Sequence, residues 1–300
     1  MDMERRKSPQ NRAVIYVYRA WNICKHIIKY PKNGWKKTAL KIHTEINPKY
    51  IVDHEWLTGY DHDYELNYEY RRDTKYRIAV YTSIFGNYDS LKEPLFINEN
   101  CDYFAITDME IPDGSVWKKL DITDKFFSSL DNYHKSKYCK LHPHILFPEY
   151  DYSIWVDGNV QIVADMCPLI DRMEKSVIAT FKNPVHDCIY TESKYLIYYD
   201  AVTIEAIEKQ INHYRKEGFP CHFGMREFSI IIRKNHDLEL NKLMDAWWEE
   251  VNTFTMRDQI SFPYLLWKNN LTIDYIHLLG GNKRDNPRFI YVPHSWRLKF

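Results

Sequence analysis

The sequence predicts an α/β protein in which a mixed, mainly parallel β-sheet is flanked by helices and preceded by a basic helical appendage. From Arg77 onwards, short apolar runs alternate with stretches of helical periodicity, the pattern of a layered and mainly parallel sheet. Before that point the chain has no strand pattern and is strongly basic, with 12 Lys and Arg against 3 Asp and Glu in residues 1–50. We therefore expect a helical extension and connector at residues 1–75 and a larger domain at residues 76–300.

The extension is predicted to begin with an amphipathic helix. Apolar residues recur at spacings of three and four, which places them on one helical face: Val14, Val17, Trp21, Cys24 and Ile28. Pro31 to Gly34 are expected to end this helix, and residues 44–75 to form an irregular connector. A basic amphipathic helix lies either on an anionic membrane surface or on the protein's own body, and the sequence leaves both interpretations open.

The elements of the larger domain follow in order along the chain. Strands are apolar runs bounded by turn residues, and they are expected at Arg77–Ser83, Asp102–Thr107, Val116–Ile122 (the weakest), Tyr152–Val156, Ser176–Phe181 and Phe228–Arg233. Helical spacing predicts three helices: Asp131–Phe147, Ala201–Glu217 and one around Leu240 to Val251. The first is expected to be distorted at Pro143, and the second to end at Gly218. This alternation of strands and helices is the basis for the predicted layered sheet.

Composition excludes several classes of protein. Hydrophobic residues make up 45% and charged residues 27% of the chain, as in ordinary globular proteins. There is neither an apolar run of about 20 residues nor a secretory leader, and the six cysteines are scattered, so we expect reduced, mostly buried thiols and a cytoplasmic protein. Residues 51–300 are net acidic and carry no basic stripe, which argues against nucleic acid as a partner. The phosphate-binding loops of Rossmann and P-loop enzymes are missing from the sequence.

The most informative motif is the acidic tip Asp157-Gly158-Asn159, directly after the apolar strand Tyr152–Val156. Ligands of open α/β sheets bind beyond the carboxyl ends of the strands. Asp157 and Asn159 lie two residues apart and offer oxygen ligands of the kind that Mg²⁺ or Mn²⁺ prefers. An amide oxygen is a weaker ligand than a carboxylate, so the dependence on metal is open at this point. The same triplet is also a common turn sequence.

Several long runs around this tip carry a family resemblance: IAVYTSIFGNYDSL, DYFAITD, SKYCKLHPHILFPEYDYSIWVDGNVQI and MRDQISF. Over residues 77–270 the chain resembles a glycosyltransferase-like family formerly catalogued as a domain of unknown function. Plant members of that family include proteins of pectin and mucilage synthesis, and bacterial members tend to belong to surface-polysaccharide pathways. The resemblance implies a GT-A-type fold and transfer of a sugar from a nucleotide-diphosphate donor, a UDP-sugar in first place, to a glycan or lipid-linked glycan acceptor.

A looser similarity to glycogenin-like retaining transferases extends to the late part of the chain. Their His-x-x-Gly-x-x-Lys motif, in which His binds the metal and Lys the diphosphate, is matched by His277, Gly280 and Lys283. The similarity therefore implies His277 as a third metal ligand beside Asp157 and Asn159, and Lys283 as a donor-binding residue. The Pro-Trp that usually follows is replaced here by Arg284-Asp285.

Position along the predicted elements suggests further donor-binding residues. Thr82 and Ser83 end the first strand and could contact the base or ribose, or simply cap the strand. Tyr88 could stack on the base, or merely pack against other side chains of the protein. Asp108, after the second strand, could accept hydrogen bonds from ribose hydroxyls or simply face solvent. Lys137 and Lys140 lie on one helical face and either reach the phosphates or face solvent; Asp157 completes the donor-binding set.

The residues predicted to carry the catalytic step are Asp258 and Gln259. The Arg257-Asp258-Gln259 run resembles the acidic-Gln element near the acceptor in transferases of this fold. Asp258 is expected to act as a general base or to orient the acceptor and the transition state; its alternative is a helix N-terminal Asp favoured by the macrodipole. A further polar cluster could contact the acceptor, namely His186, Asp187 and Glu192.

Two rival functions remain compatible with the sequence. One is a non-catalytic nucleotide- or carbohydrate-binding protein of the same fold, whose metal site is weakened at Asn159. The other is a hydrolase that uses Asp157, Asp258 and Glu192 as its carboxylates and needs no nucleotide.

Overall fold

The structure is a computed structural model that describes residues 12–53, 76–173 and 175–294. Its strands are β1 Ile78–Ile84, β2 Cys101–Thr107, β3 Lys118–Lys119, β4 Tyr152–Val156, β5 Val160–Ile162, β6 Ile178–Lys182, β7 Arg226–Lys234, β8 His277–Leu278 and β9 Phe289–Tyr291. Its helices are α1 Arg12–Ile28, α2 Tyr30–Ile46, α3 Lys125–Ser129, α4 Asn132–Leu141, α5 Pro143–Leu146, α6 Cys167–Arg172, α7 Ile189–Tyr198, α8 Ile204–Glu217, α9 Leu238–Thr253 and α10 Asp258–Lys268.

Within these residues the main sheet has seven strands in the order β3-β2-β1-β4-β7-β6-β8. All neighbouring pairs are parallel except those of β7, which runs antiparallel to both β4 and β6. The predicted fold class, a mixed and mainly parallel sheet flanked by helices, is therefore confirmed. The carboxyl ends of β1, β2, β4 and β6 lie along one edge of the sheet, and the amino end of β7 reaches the same edge.

The central strands are buried on both faces because helices cover the sheet from both sides. Every residue of β1 and β4 is buried, which matches their continuous apolar sequences. Alternate residues contribute to two hydrophobic cores, so that Tyr81 and Trp155 lie in one core while Val80 and Ile154 lie in the other. The side chain of Arg233, 1% exposed, donates to the Lys140 carbonyl oxygen at 2.7 Å and the Tyr81 hydroxyl at 2.5 Å.

The predicted helix at Asp131–Phe147 is interrupted, as expected from its proline. Asp131 is its N-cap and accepts hydrogen bonds from the backbone N–H groups of Tyr133 and His134. His142 leaves the helical conformation, with φ −118° and ψ 48°, because the ring of Pro143 disfavours helical geometry in the preceding residue. The predicted end of α8 at Gly218 is also found, with φ 91° at that glycine.

Two predictions of local structure were wrong. The third strand is reduced from Val116–Ile122 to two residues, Lys118–Lys119. The N-terminal helix ends at Ile28, before Pro31, and a second helix then runs to Ile46 with a break at Gly34, where φ is 72°. Residues 44–46 of the predicted connector are thus helical, while residues 54–75 lie outside the described residues.

The first two helices form a hairpin that packs on the main body through α2. Lys36 contacts Glu208 at 2.8 Å, and Lys41 contacts Asp200 at 2.9 Å. The described part of the apolar stripe of α1 faces away from the body, since Val17, Trp21 and Ile28 are 70%, 58% and 76% exposed; the side chain of Val14 lies outside the described part. The interpretation in which this stripe docks on the protein's own body is therefore wrong.

None of the helices that the structure describes is long and apolar enough to cross a membrane. All six cysteines lie in the described part of the chain and are free thiols, four of them buried and two, Cys24 and Cys221, exposed. The prediction of mostly buried thiols is confirmed.

Candidate functional site

The acidic tip lies at the carboxyl edge of the sheet, immediately after β4. The backbone N–H of Asp157 donates to the Ser229 carbonyl oxygen at 2.8 Å, and Val160 N–H donates to the Asp157 carbonyl oxygen at 2.9 Å, which closes a turn. The indole N–H of Trp155 donates to Asp157 Oδ1 at 2.7 Å. The indole thus fixes one carboxylate oxygen, while the Asp157 side chain as a whole is still 35% exposed.

Gly158 is required at this tip by lack of space. A Cβ on this residue would lie 2.8 Å from Ile84 Cγ1 and 3.9 Å from Asp89 Cβ. The turn after β4 therefore lies directly against the end of β1 and the loop that follows it. This close approach is what brings Asp89 next to the tip.

A buried network of opposite charges extends from Asp157 towards α10. Lys140 Nζ lies 3.4 Å from Asp157 Oδ1 and 2.7 Å from Asp258 Oδ2, and Lys137 Nζ lies 2.8 Å from the same Asp258 oxygen. The two lysines stand three residues apart on α4, and their side chains are 14% and 5% exposed. The alternative in which they face solvent is wrong, since both converge on the carboxylate that begins α10.

The protonation states in this network follow from burial and charge. Burial alone would raise the pKa of Asp258, but Lys137 and Lys140 outweigh it and leave the pKa well below its ordinary value. Burial alone would lower the pKa of Lys140, but Asp157 and Asp258 outweigh it and leave the pKa above its ordinary value. Asp258 is therefore ionised and weakly basic, and Lys140 remains a cation at neutral pH.

A third lysine, Lys283, approaches the same edge from the C-terminal part of the chain. Its Nζ lies 2.7 Å from Glu227 Oε1 and also donates to the Ser229 hydroxyl, which in turn donates to Glu227 Oε1 at 2.6 Å. The backbone of Ser229 contacts Asp157, so the antiparallel strand β7 links Lys283 to the tip. Sequence reasoning missed Glu227 and Ser229 because their location depends on that strand direction.

Asn159 is buried next to the tip, and its neighbours were also missed. Its side chain is contacted by the His294 ring at 3.4 Å, and the other ring nitrogen of His294 lies 2.8 Å from Asp89 Oδ2. The ring of Tyr88, 54% exposed, packs edge-on against His294 with ring centroids 5.2 Å apart. Asp89 and His294 are 205 positions apart in sequence, so no local signal joins them.

The structure does not bring His277 to the tip. His277 is in register with Ala179 on β6, Ala179 with Ile232 on β7, and Ile232 with Ile154 on β4. Three strand spacings, about 14 Å in total, thus separate His277 from the strand of Asp157. Of the matched late motif, Lys283 reaches this edge of the sheet through its contacts with Glu227 and Ser229.

The remaining donor-binding candidates lie around the first strand. Thr82 and Ser83 are buried within β1 and point to opposite faces of the sheet. The Ser83 hydroxyl donates to Ser136 Oγ at 3.0 Å. Asp108 accepts from the backbone N–H of Gly86 at 2.9 Å and 3.1 Å, which stabilises the loop that carries Tyr88.

Gln259 connects α10 to the loop after β6. Its side-chain oxygen accepts a hydrogen bond from Asn183 Nδ2 at 3.1 Å, and Asn183 Oδ1 accepts from the backbone N–H of His186 at 2.9 Å. His186 itself is 2% exposed and contacts Glu192 at 2.5 Å and the Ile51 carbonyl oxygen at 2.7 Å. The structure thus places His186 and Glu192 in a buried pair and leaves them little surface for an acceptor.

Asp187 belongs to a different group. Its Oδ1 lies 2.6 Å from the His222 ring, and Asp53 Oδ2 accepts from the backbone N–H groups of Asp187 and Cys188 at 3.0 and 2.9 Å. Among the described residues, this is the only set of three His, Cys, Asp or Glu side chains whose ligand atoms lie within 4.8 Å of one another. Burial raises the pKa of Asp53, but its hydrogen bonds outweigh burial and lower the pKa overall.

The acidic tip fits a divalent metal ion that is shared with the substrate better than an ion enclosed by protein ligands alone. It offers the Asp157 carboxylate beside the buried Asn159 amide, and no set of three His, Cys, Asp or Glu ligand atoms surrounds it in the described ranges. An ion enclosed by protein ligands alone does not fit this arrangement. Mg²⁺ bound by one carboxylate and completed by substrate phosphates and water does fit it.

Comparisons with known proteins agree with the resemblance inferred from the motifs. A family model described as TOD1/MUCI70, glycosyltransferase-like domain, matches residues 54–279. The probable hexosyltransferase MUCI70 of Arabidopsis thaliana is 26% identical over 216 residues, which cover 62% of this chain and 36% of that protein. The chain thus spans little more than a third of the length of this relative.

Two solved structures show likeness to the fold. The bifunctional glycosyltransferase WbbM in its apo form aligns with a TM-score of 0.43 and 13% identity, over 70% of this chain and 40% of that chain. The galactosyltransferase LgtC in complex with donor and acceptor sugar analogs aligns with a TM-score of 0.38 and 14% identity, over 69% of this chain and 74% of that chain.

Proposed function

The chain belongs to the TOD1/MUCI70 glycosyltransferase-like family, and from this premise we propose that it transfers a sugar from a nucleotide-diphosphate donor to a glycan acceptor. The donor is a UDP-sugar, and the acceptor is a free or lipid-linked glycan of a surface polysaccharide. One observation carries the proposal: the cations Lys137, Lys140 and Lys283 converge on the carboxylates around Asp157 at the carboxyl edge of the sheet.

The chemistry of glycosyl transfer accounts for this collection of charges. When the sugar bond breaks, the leaving diphosphate gains negative charge, which nearby cations stabilise. Lys140 supplies a fixed positive charge, because its raised pKa keeps it protonated. Lys283, which pairs with Glu227 in the free protein, moves its ammonium to the diphosphate when the donor binds.

The proposed cofactor is Mn²⁺ or Mg²⁺, bound by Asp157 with Asn159 as a weaker ligand. When bound, the ion would supply further positive charge to the departing diphosphate. The single carboxylate of the tip implies that metal and nucleotide bind together, each increasing the affinity for the other.

The residues around α10 are assigned to positioning and to the acceptor. Asp258 has a lowered pKa and two lysine partners, which favours the orienting role over that of a general base. It fixes Lys137 and Lys140 in the direction of the tip. Gln259, joined to the loop after β6 through Asn183, has the proposed role of contacting the transferred sugar or the acceptor.

A thermal-shift screen of nucleoside diphosphates, followed by hydrolysis and transfer assays, tests this function. UDP should raise the melting temperature, and should do so more with Mn²⁺ than without it. Asp157→Ala should remove the Mn²⁺-dependent part of the shift and lower transfer at least about 100-fold, whereas the matched control Asp113→Ala, at an exposed position, should change neither.

The rival functions give different results in the same assays. Nucleotide binding without release of nucleotide from any sugar donor would indicate a binding protein. Absence of a nucleotide shift together with sugar hydrolysis would indicate a hydrolase. Full transfer activity in Asp157→Ala would contradict the proposed site.

A further inference from the structure

We propose that the outward face of α1, formed by Val17, Trp21, Cys24 and Ile28, binds the surface of an anionic lipid bilayer. This inference rests on the N-terminal hairpin alone and does not depend on the proposed transferase function.

The outward face is apolar and fully presented to solvent. Val17, Trp21 and Ile28 are 70%, 58% and 76% exposed, and Cys24, between Trp21 and Ile28, is also exposed. The partly buried residues of α1 lie on the opposite side of the helix, where His26 contacts Glu45 of α2 at 3.5 Å. The packing of α1 on α2 is therefore complete without the stripe, and an exposed apolar patch of this kind marks an interaction surface.

Charge identifies the occupant of this face. Residues 12–44 contain eight Lys and Arg and no Asp or Glu. Lys36, Lys37 and Lys41 form ion pairs with Glu208 and Asp200 of the main body. Lys25, Lys29 and Lys32 are exposed and form no ion pair with any other described residue.

The positions of these lysines match a bilayer interface. Lys25 and Lys29 flank the stripe along one side, and Lys25 Nζ lies 5.2 Å from the centre of the Trp21 ring. Lysines beside an inserted apolar stripe contact lipid headgroups while their stems stay along the apolar surface. A second copy of the chain would instead oppose two basic surfaces, which repel each other, so anionic lipid is the favoured partner.

The exposed cysteines provide a direct measurement on the full chain. Cys24 lies in the outward face and Cys221 lies elsewhere, while the other four cysteines are buried. An environment-sensitive fluorophore should be attached at Cys24 in Cys221→Ser, and at Cys221 in Cys24→Ser. With vesicles of phosphatidylcholine containing about 30 mol% phosphatidylglycerol, the Cys24 label should shift to the blue and the Cys221 label should not.

Vesicle sedimentation separates the apolar and the ionic parts of the contact. Val17→Ser/Trp21→Ala/Ile28→Ser and Lys25→Glu/Lys29→Glu should each lower binding at least about tenfold, with the melting temperature unchanged. The matched controls Leu238→Ser and Lys242→Glu, at exposed positions of α9, should bind like the wild type. Raising salt from about 0.05 M to about 0.5 M should weaken wild-type binding.

Three results would overturn the proposal. The first is a wild-type protein that stays in the supernatant with anionic vesicles. The second is equal binding by the wild type and the stripe variant. The third is a wild-type dimer that the stripe variant converts to a monomer while neither protein binds vesicles, which would assign the face to a second copy of the chain.

Discussion

The ammonium of Lys140 and the carboxylate of Asp258 form an ion pair of 2.7 Å, with side chains only 5% and 11% exposed. Removing two charges from water is costly, and such a pair persists only when each charge has further partners. Lys140 also contacts Asp157, and Asp258 also contacts Lys137. The stability of this region and the position of the cation beside the acidic tip therefore depend on the same contacts.

Breaking this network should destabilise the fold strongly. Lys140→Met removes the lysine that pairs with Asp157. Asp258→Asn removes the negative charge that Lys137 and Lys140 share. We expect each change to lower the free energy of unfolding by about 3–5 kcal/mol in urea titrations.

A double-mutant cycle tests whether the two residues act together, and an exposed ion pair serves as the control. Lys140→Met/Asp258→Asn should cost less than the sum of the single changes, because neither charge is then left alone. Lys268→Met, which removes a half-exposed partner of Glu217, should cost much less than either change in the buried network, because exposed ion pairs contribute little. If the losses in unfolding free energy of the two single variants simply added up in the double variant, the two residues would not belong to one network.

The pH dependence of transfer should contain no step from Asp258. Its pKa is lowered in the folded protein, so the carboxylate stays ionised and its stabilising contribution persists until the pH falls far into the acid range. Asp258→Asn should therefore reduce kcat by the same factor at about pH 6 and about pH 8. A rate that rises with the titration of Asp258 in this range would restore the role of general base.

Gly158 should tolerate no side chain. Gly158→Ala would place a Cβ 2.8–2.9 Å from two atoms of Ile84, a distance that forces the tip or β1 to move. We expect a loss of about 1–3 kcal/mol in the free energy of unfolding and weaker nucleotide binding. Ile84→Ala removes those atoms, so Gly158→Ala/Ile84→Ala should cost less than the sum of the single changes. Equal costs in both backgrounds would show that space is not the reason for glycine.

The sheet and its acidic tip could be predicted because their signals are local. Tyr152–Val156 is a continuous apolar run followed at once by Asp157, and a run of this kind defines both the strand and its end. The three-residue spacing of Lys137 and Lys140 defines a common helical face in the same way. Contacts within a few residues of chain were sufficient for these predictions.

The rest of the site depends on tertiary structure. Glu227 and Ser229 come near the tip because β7 runs antiparallel to its neighbours. The residue pattern of a strand is the same in either direction, so the sequence does not reveal this. Asp89 and His294 meet because the segment after β9 returns to the loop after β1. The late motif singles out Lys283, whose ammonium contacts Glu227 and Ser229 beside the tip, but the sheet register separates His277 from the strand of Asp157.

His142 should make the protein sensitive to acid. Burial lowers the pKa of His142 to about 4, and the carboxylate of Asp245, 3.7 Å away, compensates only in part because it is 58% exposed. In the unfolded chain the pKa of histidine is about 6.5, so between about pH 6.5 and about pH 4 the unfolded state binds a proton that the folded state does not. Stability should therefore fall as the pH falls through this window.

The size of this effect can be measured with a variant that cannot titrate. The difference between the two pKa values corresponds to about 3 kcal/mol, fully lost below about pH 4. His142→Phe retains the ring stacked on Tyr138, with centroids 4.2 Å apart in the wild type, and should flatten the slope of unfolding free energy against pH. His236→Phe, at a position whose side chain is 60% exposed, should keep the wild-type slope. An unchanged slope in His142→Phe would mean that other groups cause the acid sensitivity.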